Sequence, residues 1–376
     1  MDKDKTRQIN ISTPGEHIRY FDVLRTLSMS GVLFMHLSSA RLAEPGCTGW
    51  GLLVLLDSFF FIAVPLFFMI SGALILQSGP ASEPAYLLRH RLPRLLIPLV
   101  FWSAAVLALP FLRELIHGNG FDLRGYLYAL TTIAAHEAAP PYWFLYYLIP
   151  LYLLSPALKA AANGLTEKSW RYLGILALIV CTYKTCVTLL PFAKAFQIEI
   201  FERLFLFSGC AAYFFFGFYL HQMQYRVPNG ILLGIILGDT VLISVGTWIR
   251  SAGGVLDQSF QSYNLLFTLV LAISVFLLAK QNNGRLNTRT GKVFNWLAAR
   301  SFGVYLSHVP VILLLPSAGI DLSSGKGFIY SLFLVPAVCL LISWGISRVR
   351  FLCWPLTGAR WQKKAQPNAG TEKREG

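Results

Sequence analysis

The sequence predicts an all-α fold: a polytopic integral membrane helix bundle of about ten transmembrane helices, with both termini in the cytoplasm. Of its 376 residues, 55% are hydrophobic and 13% are charged, about half the charged share of soluble domains. The apolar residues gather in runs of roughly 20, the length that a membrane-spanning helix needs. These runs are continuous rather than alternating, which favours helices over a β-barrel.

Ten runs have this spanning length, and no polar block of domain size interrupts them. The ninth run is the shortest. In chain order they occupy residues 19–39, 52–76, 94–112, 142–158, 170–190, 204–221, 229–249, 263–280, 301–316 and 328–347.

The distribution of Lys and Arg sets the orientation. Most of the 32 basic residues fall in segments that are cytoplasmic if the amino terminus is cytoplasmic, as the positive-inside rule expects. The net charge of +14 therefore reflects membrane orientation and requires no nucleic acid partner. The chain divides into a cytoplasmic segment 1–17 without a cleavable signal, a membrane domain 18–350, and a cytoplasmic tail 351–376 that is expected to be disordered.

The first run carries three ionisable side chains on one face. Arg25 and His36 are eleven positions apart, which places them about 20° apart around a helix and ~16 Å apart along it. Asp22 lies one turn before Arg25 on the same face. Because a charge inside the bilayer costs at least ~2.5–3.5 kcal/mol, such residues usually face the bundle interior and indicate a functional site. The alternative is an ion pair of Asp22 and Arg25 at the helix end, with His36 at the membrane interface.

Two arginines precede the third run. Pro93 suits the first position of a helix, so the third helix is predicted to start there, with Arg91 just before it and Arg94 in its first turn. Guanidinium groups beside free N–H groups at a helix amino terminus would bind phosphate well. The alternative is ordinary positive-inside anchoring.

Other polar residues within the runs are weaker candidates. Asp239 and His308 are possible additional site residues, although a packed interhelical histidine is the simpler interpretation of His308. Ser71 and Gly72 are predicted to allow close helix packing. The six cysteines form no CxxC pair and are interpreted as small buried side chains, and no metal site is predicted.

Five features in order resemble the acyltransferase-3 family of membrane O-acyltransferases, and they extend from about residue 20 to 310. The resemblance is strongest to its stand-alone bacterial members that O-acetylate surface glycans, of the enterobacterial common antigen O-acetyltransferase type. The features are Arg25 with His36, Val64-Pro65-Leu66-Phe67-Phe68-Met69-Ile70-Ser71-Gly72, Arg91 with Arg94, Trp143-Phe144-Leu145, and Ser301-Phe302-Gly303-Val304-Tyr305-Leu306-Ser307-His308.

This resemblance implies a function. The donor substrate would be cytoplasmic acyl-CoA, usually acetyl-CoA, with no permanently bound cofactor. The acceptor would be a hydroxyl of a cell-surface or lipid-linked glycan, reached among the lipids of the bacterial inner (plasma) membrane. By match to the family motifs, His36 and Arg25 would be the essential pair of the first helix, and Arg91 and Arg94 would serve the donor. Tyr142 stands where many relatives have a His, so no role is transferred to that position.

The residues suit acyl transfer, which needs a base for the alcohol and a group that stabilises negative charge. In this hypothesis His36 takes the hydroxyl proton, directly or after an acyl-imidazole forms, and Arg25, held by Asp22, stabilises the charge. Two other functions stay open: an exporter of a glycan or lipid-linked intermediate, and a partner of a polysaccharide assembly machine without chemistry of its own. The cytoplasmic arginines favour the enzyme, because an exporter needs no acyl-CoA site.

Overall fold

A computed structural model describes residues 18–79, 83–196, 198, 209–285 and 287–358. The predicted segment 1–17, the start of the sixth run at 204–208, and the tail from 359 lie outside the described residues. Within these ranges the regular structure is helical and no strand occurs.

The helices follow the apolar runs closely. Most begin or end at a Gly, Pro or short polar turn. We number them α1 (Arg19–Leu42), α2 (Trp50–Phe60), α3 (Ala63–Gln77), α4 (Pro93–Ile116), α5 (Leu123–Thr131), α6 (Trp143–Leu153), α7 (Ser155–Gly164), α8 (Glu167–Leu189), α9 (Cys210–Gln222), α10 (Asn229–Arg250), α11 (Leu266–Gln281), α12 (Thr288–Ala298), α13 (Ser301–Leu314), α14 (Gly325–Arg348) and α15 (Arg350–Thr357).

Five helical stretches in the described part are long and apolar enough to cross a membrane. They are Trp50–Gln77, Pro84–Ile116, Glu167–Leu189, Asn229–Gly253 and Gly325–Arg348. The total rises to seven if each of two bent pairs, α6 with α7 and α12 with α13, is one span. The protein is therefore a helical membrane protein, whereas the number of ten spans and the cytoplasmic position of both termini stay predictions.

Helix α1 lies at the centre of the bundle. It packs against α2, α3, α11, α12, α13 and α14, and most of its apolar side chains are buried. This position explains why α1 can carry charged side chains: they face other helices instead of lipid.

Helices α3 and α9 approach each other very closely. A Cβ atom added to Gly72 would lie 1.8 Å from the carbonyl oxygen of Phe214, and one added to Gly217 would lie 1.9 Å from that of Met69. Only glycine permits this backbone contact. The prediction that Gly72 serves close helix packing is confirmed, and Gly217 is its partner from the other helix.

Helix α15 corrects the prediction for the tail. Residues 351–376 were expected to be disordered, but Arg350–Thr357 form a helix that packs against α4 and α14. The indole Nε1 of Trp102 donates to the carbonyl oxygen of Leu356 at 2.9 Å. The amphipathic pattern of these few residues was too short to be recognised as a helix beside a polar tail.

Candidate active site

One cavity lies beside the amino-terminal half of α1 and has a volume of about 310 Å³. We call it the arginine cavity, because the guanidinium-bearing residues Arg25 and Arg94 both line it. Its other walls come from α3, α6, the α12–α13 junction and the end of α15. The remaining lining residues are Phe67, Ser71, Leu95, Phe144, Leu148, Tyr152, Ala298, Ala299, Ser301, Phe302, Tyr305, Thr357 and Gly358.

Polar neighbours surround Arg25 in this cavity. Asp22 and Tyr152 lie close enough to interact with it electrostatically, and Tyr152 in turn interacts with Arg91 and the Ser71 hydroxyl. Asp22 is buried and accepts a 3.5 Å hydrogen bond from Nδ2 of Asn295. Asp22 thus contacts α12 from inside the bundle, within electrostatic range of Arg25.

The two arginines near Pro93 differ in position. Helix α4 begins at Pro93 as predicted, and Arg94 lines the arginine cavity. Arg91 does not line it; its Nη2 donates to Ser78 Oγ at 3.2 Å. Nearby, Lys159 Nζ donates to the Ser78 carbonyl oxygen at 2.7 Å.

The expectation of a free helix end at Pro93 is wrong. Residues Pro84–Tyr86 are helical and a π turn, Leu87–Arg91, leads directly into α4. The amide of Leu92 donates to the Leu87 carbonyl oxygen at 2.9 Å, so the chain preceding Pro93 already uses the helical hydrogen-bond pattern. Any phosphate binding here depends on the arginine side chains rather than on helix-terminal N–H groups.

A second cavity, of about 250 Å³, lies beside the carboxyl-terminal half of α1. We call it the histidine cavity, because His36 lines it. Asp57 contributes a buried carboxyl group to its wall, and Gln261 Nε2 donates to Asp57 Oδ2 at 2.8 Å. The other lining residues are Val32, Met35, Ser39, Leu42, Phe61, Val64, Pro141, Trp143, Phe144, Leu256, Gln258, Tyr263 and Tyr305.

The side chain of His308 packs against that of His36. The two imidazole rings stack with centroids 5.3 Å apart and planes 29° apart. His308 is fully buried; its Nδ1 contacts the carbonyl oxygen of Tyr305, and its Nε2 has no hydrogen-bond partner among the described residues. The structure thus brings the possible site residue His308 to the candidate base, which sequence spacing alone does not show.

Phe144 and Tyr305 belong to both cavities. Their rings meet edge to face with centroids 5.9 Å apart, and the Tyr305 hydroxyl donates to the Pro141 carbonyl oxygen at 2.6 Å. We call this pair the aromatic partition. Arg25 and His36 are therefore on one helix but open into two different cavities that share this wall.

Asp239 lies apart from both cavities. It is on α10, which packs against α2 and α11, and its Oδ2 is buried without a hydrogen-bond partner in the described chain. Tyr142 is also outside them; it is fully buried, and its hydroxyl donates to the Leu306 carbonyl oxygen at 2.7 Å. Tyr142 is thus a buried, hydrogen-bonded side chain, and no role is transferred to its position.

Sequence reasoning missed several residues of the two cavities. Tyr152 had no motif to mark it, and Gln258 lies in a loop without any pattern. Tyr305 belonged to a motif in which only His308 was considered. The described residues contain no group of three or more His, Cys, Asp or Glu side chains placed to hold a metal ion.

A protein-family model described as an acyltransferase domain, acyltransferase-3, matches residues 18–348 of this chain. The chain belongs to the acyltransferase-3 family. No curated protein and no solved structure matches it. Membership makes this protein a membrane acyltransferase, and apart from Thr357 and Gly358 all the residues that line the two cavities lie within the part of the chain that the family model covers.

Proposed function

We propose that this acyltransferase-3 protein transfers an acyl group, most simply acetyl, from cytoplasmic acyl-CoA to a hydroxyl of a cell-surface or lipid-linked glycan. The observation that carries the proposal is the pair of adjoining cavities beside α1. One contains two arginines, the other contains an imidazole, and the aromatic partition is their common wall.

The arginine cavity is the proposed donor site. Guanidinium groups bind phosphate through charge and paired N–H donors, and the phosphates of CoA are the anionic part of the donor. The distribution of basic residues predicts that this end of the bundle is cytoplasmic. In this proposal Arg94 and Arg25 contact the donor directly, and Arg91 supports them through Ser78 and Tyr152.

The histidine cavity is the proposed acceptor site. Neutral imidazole is a suitable general base near physiological pH. His36 accepts the proton of the acceptor hydroxyl while the hydroxyl oxygen forms a bond to the thioester carbonyl carbon. The carbon–sulfur bond then breaks, and the CoA thiolate takes the proton from the imidazolium, which yields an ester and free CoA. In the two-step form of the same reaction, His36 first carries the acyl group.

The separation along α1 changes the role proposed for Arg25. Its Cα lies ~16 Å from that of His36 along the helix, and the aromatic partition lies between the two cavities. A carbonyl group beside His36 is thus out of hydrogen-bond reach of Arg25. Arg25 is better suited to hold the donor than to stabilise the tetrahedral intermediate.

The test is transfer by purified protein in lipid vesicles with radiolabelled acetyl-CoA and an envelope glycan fraction from cells that lack the gene. Wild-type protein should label the glycan, and His36→Ala should not. His117→Ala is the matched control, because His117 is exposed just beyond the end of α4. An exporter would move glycan without consuming acetyl-CoA, so unlabelled glycan with wild-type protein would reject the proposal.

A further inference from the structure

The histidine cavity contains a carboxyl group that the proposed chemistry does not use. Asp57 is on α2, is 3% exposed and lines the cavity together with His36. A carboxyl group buried at this depth is costly unless it is hydrogen-bonded. Its position beside the proposed base suggests that it interacts with the molecule that enters the cavity.

A chain of amides fixes the orientation of Asp57. Gln258 Nε2 donates to Gln261 Oε1 at 3.0 Å, and Gln261 Nε2 donates to Asp57 Oδ2 at 2.8 Å. Gln261 is buried, whereas Gln258 is exposed and also lines the cavity. Because Gln261 occupies one carboxyl oxygen, the other can accept a hydrogen bond from a hydroxyl group of a bound molecule.

Aromatic rings form the wall beside these polar groups. Tyr263 stacks on Phe61 with centroids 4.6 Å apart and on Trp143 with centroids 5.5 Å apart, and all three residues line the cavity. A pyranose ring has an apolar C–H face that packs on aromatic rings and a rim of hydroxyl groups that seek hydrogen-bond partners. Aromatic walls with a few placed polar groups are typical of sites for such molecules.

We propose that Asp57, oriented by Gln261, binds the acceptor, and that the group it binds is a single sugar ring whose hydroxyl groups contact Asp57 and Gln258. This inference rests on the proposed function and names the residues that recognise its acceptor. The 250 Å³ volume is just below the ~300–1,000 Å³ of typical small-molecule sites, which suits one ring rather than a longer saccharide.

The hydrogen-bonding groups of the two cavities support this assignment. Asp57 accepts hydrogen bonds, which the ionised phosphates of a CoA molecule cannot donate, whereas Arg25 and Arg94 in the other cavity would donate to phosphate oxygens. The two substrates are thereby directed to different ends of α1. A hydroxyl group held at Asp57 lies in the same cavity as the His36 imidazole that would take its proton.

The experiment compares acceptor use with donor binding. A strain that lacks the gene receives wild-type, Asp57→Asn or Asp257→Asn protein, and the acetate released from its envelope glycans by mild alkali is measured. Asparagine at 57 keeps an oxygen for Gln261 but replaces the other carboxyl oxygen with an NH2 group. Asp257 is the matched control, since it is in the same loop as Gln258 and accepts a hydrogen bond from the Ser259 amide without lining the cavity.

We expect Asp57→Asn to lower glycan acetylation by about 10-fold or more, while purified Asp57→Asn protein binds radiolabelled acetyl-CoA within about twofold of wild type. Asp257→Asn should match wild type in both measurements. If wild-type protein restores acetylation and Asp57→Asn does so equally well, this inference is wrong but the proposed function stands. A loss of acetyl-CoA binding in Asp57→Asn would also overturn it.

A second variant keeps the inference testable if Asp57→Asn does not accumulate in the membrane. Gln258→Leu changes an exposed loop residue, so it should accumulate normally. It should lower glycan acetylation without changing acetyl-CoA binding, and unchanged acetylation would count against a sugar-binding role of this wall. Failure of wild-type protein to restore acetylation would instead reject the proposed function itself.

Discussion

Phe144 and Tyr305 meet edge to face with ring centroids 5.9 Å apart, and together they separate the cavity that contains Arg25 from the cavity that contains His36. An edge-to-face ring contact contributes only ~0.5–1.5 kcal/mol beyond area burial. The Phe144 ring has no polar atom to anchor it, so a bound donor can displace it without breaking a hydrogen bond. Tyr305 is held more firmly, because its hydroxyl donates to the Pro141 carbonyl oxygen. We expect Phe144 to be the movable part of the partition.

The first prediction concerns this partition. Phe144→Ala should join the two cavities and let water reach a thioester that the intact wall protects. The expected result is several-fold faster release of free CoA from acetyl-CoA without acceptor, measured with a thiol reagent on purified protein. Phe333→Ala, which removes an exposed ring on α14, should leave the rate unchanged. If Phe144→Ala releases CoA no faster than wild type, the partition does not shield the donor.

The second prediction separates the two arginines near Pro93. Arg94→Gln should weaken acetyl-CoA binding by about 10-fold or more, because a charge-assisted contact with phosphate is lost. Arg91→Gln should weaken it less, since Arg91 contacts Ser78 and does not line the cavity. The measurement is equilibrium binding of radiolabelled acetyl-CoA, with Arg289→Gln, which changes an exposed residue of α12, as control. A larger effect at Arg91 than at Arg94 would contradict the donor-site geometry.

Local sequence features predicted those parts of the structure that depend on interactions between residues close together in the chain. Pro93 correctly marked the start of α4, because a proline ring excludes a helical hydrogen bond at its own nitrogen. Gly72 correctly indicated close helix packing. The placement of Arg25 and His36 on one interior face followed from helical periodicity and the cost of charge in lipid.

Long-range packing could not be predicted in the same way. The aromatic partition joins Phe144 of α6 to Tyr305 of α13, which are far apart in sequence, and no periodicity relates the two helices. The stacking of His308 on His36 and the contact of Gln261 with Asp57 also join residues that are far apart in sequence, so local patterns do not predict them. Helix α15, whose end lies beside Arg94, packs against α4 and α14. Because that packing cannot be seen from the sequence, this short segment next to a polar tail was predicted to be unstructured.

The third prediction concerns the stacked histidines. His36→Ala should lower turnover by at least about 100-fold, the usual contribution of a general base. His308→Phe keeps a ring against His36 but removes the nitrogen atoms, and we expect a smaller loss of about 10-fold in kcat with KM for acetyl-CoA unchanged. That pattern identifies a residue that positions or supports His36 without touching the donor.

The measurement is steady-state kinetics on purified protein with envelope glycan as acceptor. The pH dependence of turnover gives an independent test, because replacing a residue that only fills space should not change the shape of the profile of turnover against pH. An increase in KM for acetyl-CoA in His308→Phe, or a turnover as low as that of His36→Ala, would contradict a supporting role for His308.

The last prediction tests the close contact of α3 and α9. Gly72→Ala would place a methyl group 1.8 Å from the Phe214 carbonyl oxygen, so the helices must move apart, at a cost of ~1–3 kcal/mol or more. Gly217→Ala should have a similar effect. Gly238→Ala is the control, because no described atom beyond the neighbouring residues and backbone of its own helix lies within 4 Å of its added Cβ and alanine favours a helix over glycine. The thermal unfolding midpoint in detergent should fall for the first two variants and not for the third. Since either methyl group alone separates the same two backbones, the double variant should lose less stability than the sum of the single losses; strict additivity would mean that the two glycines do not share one contact.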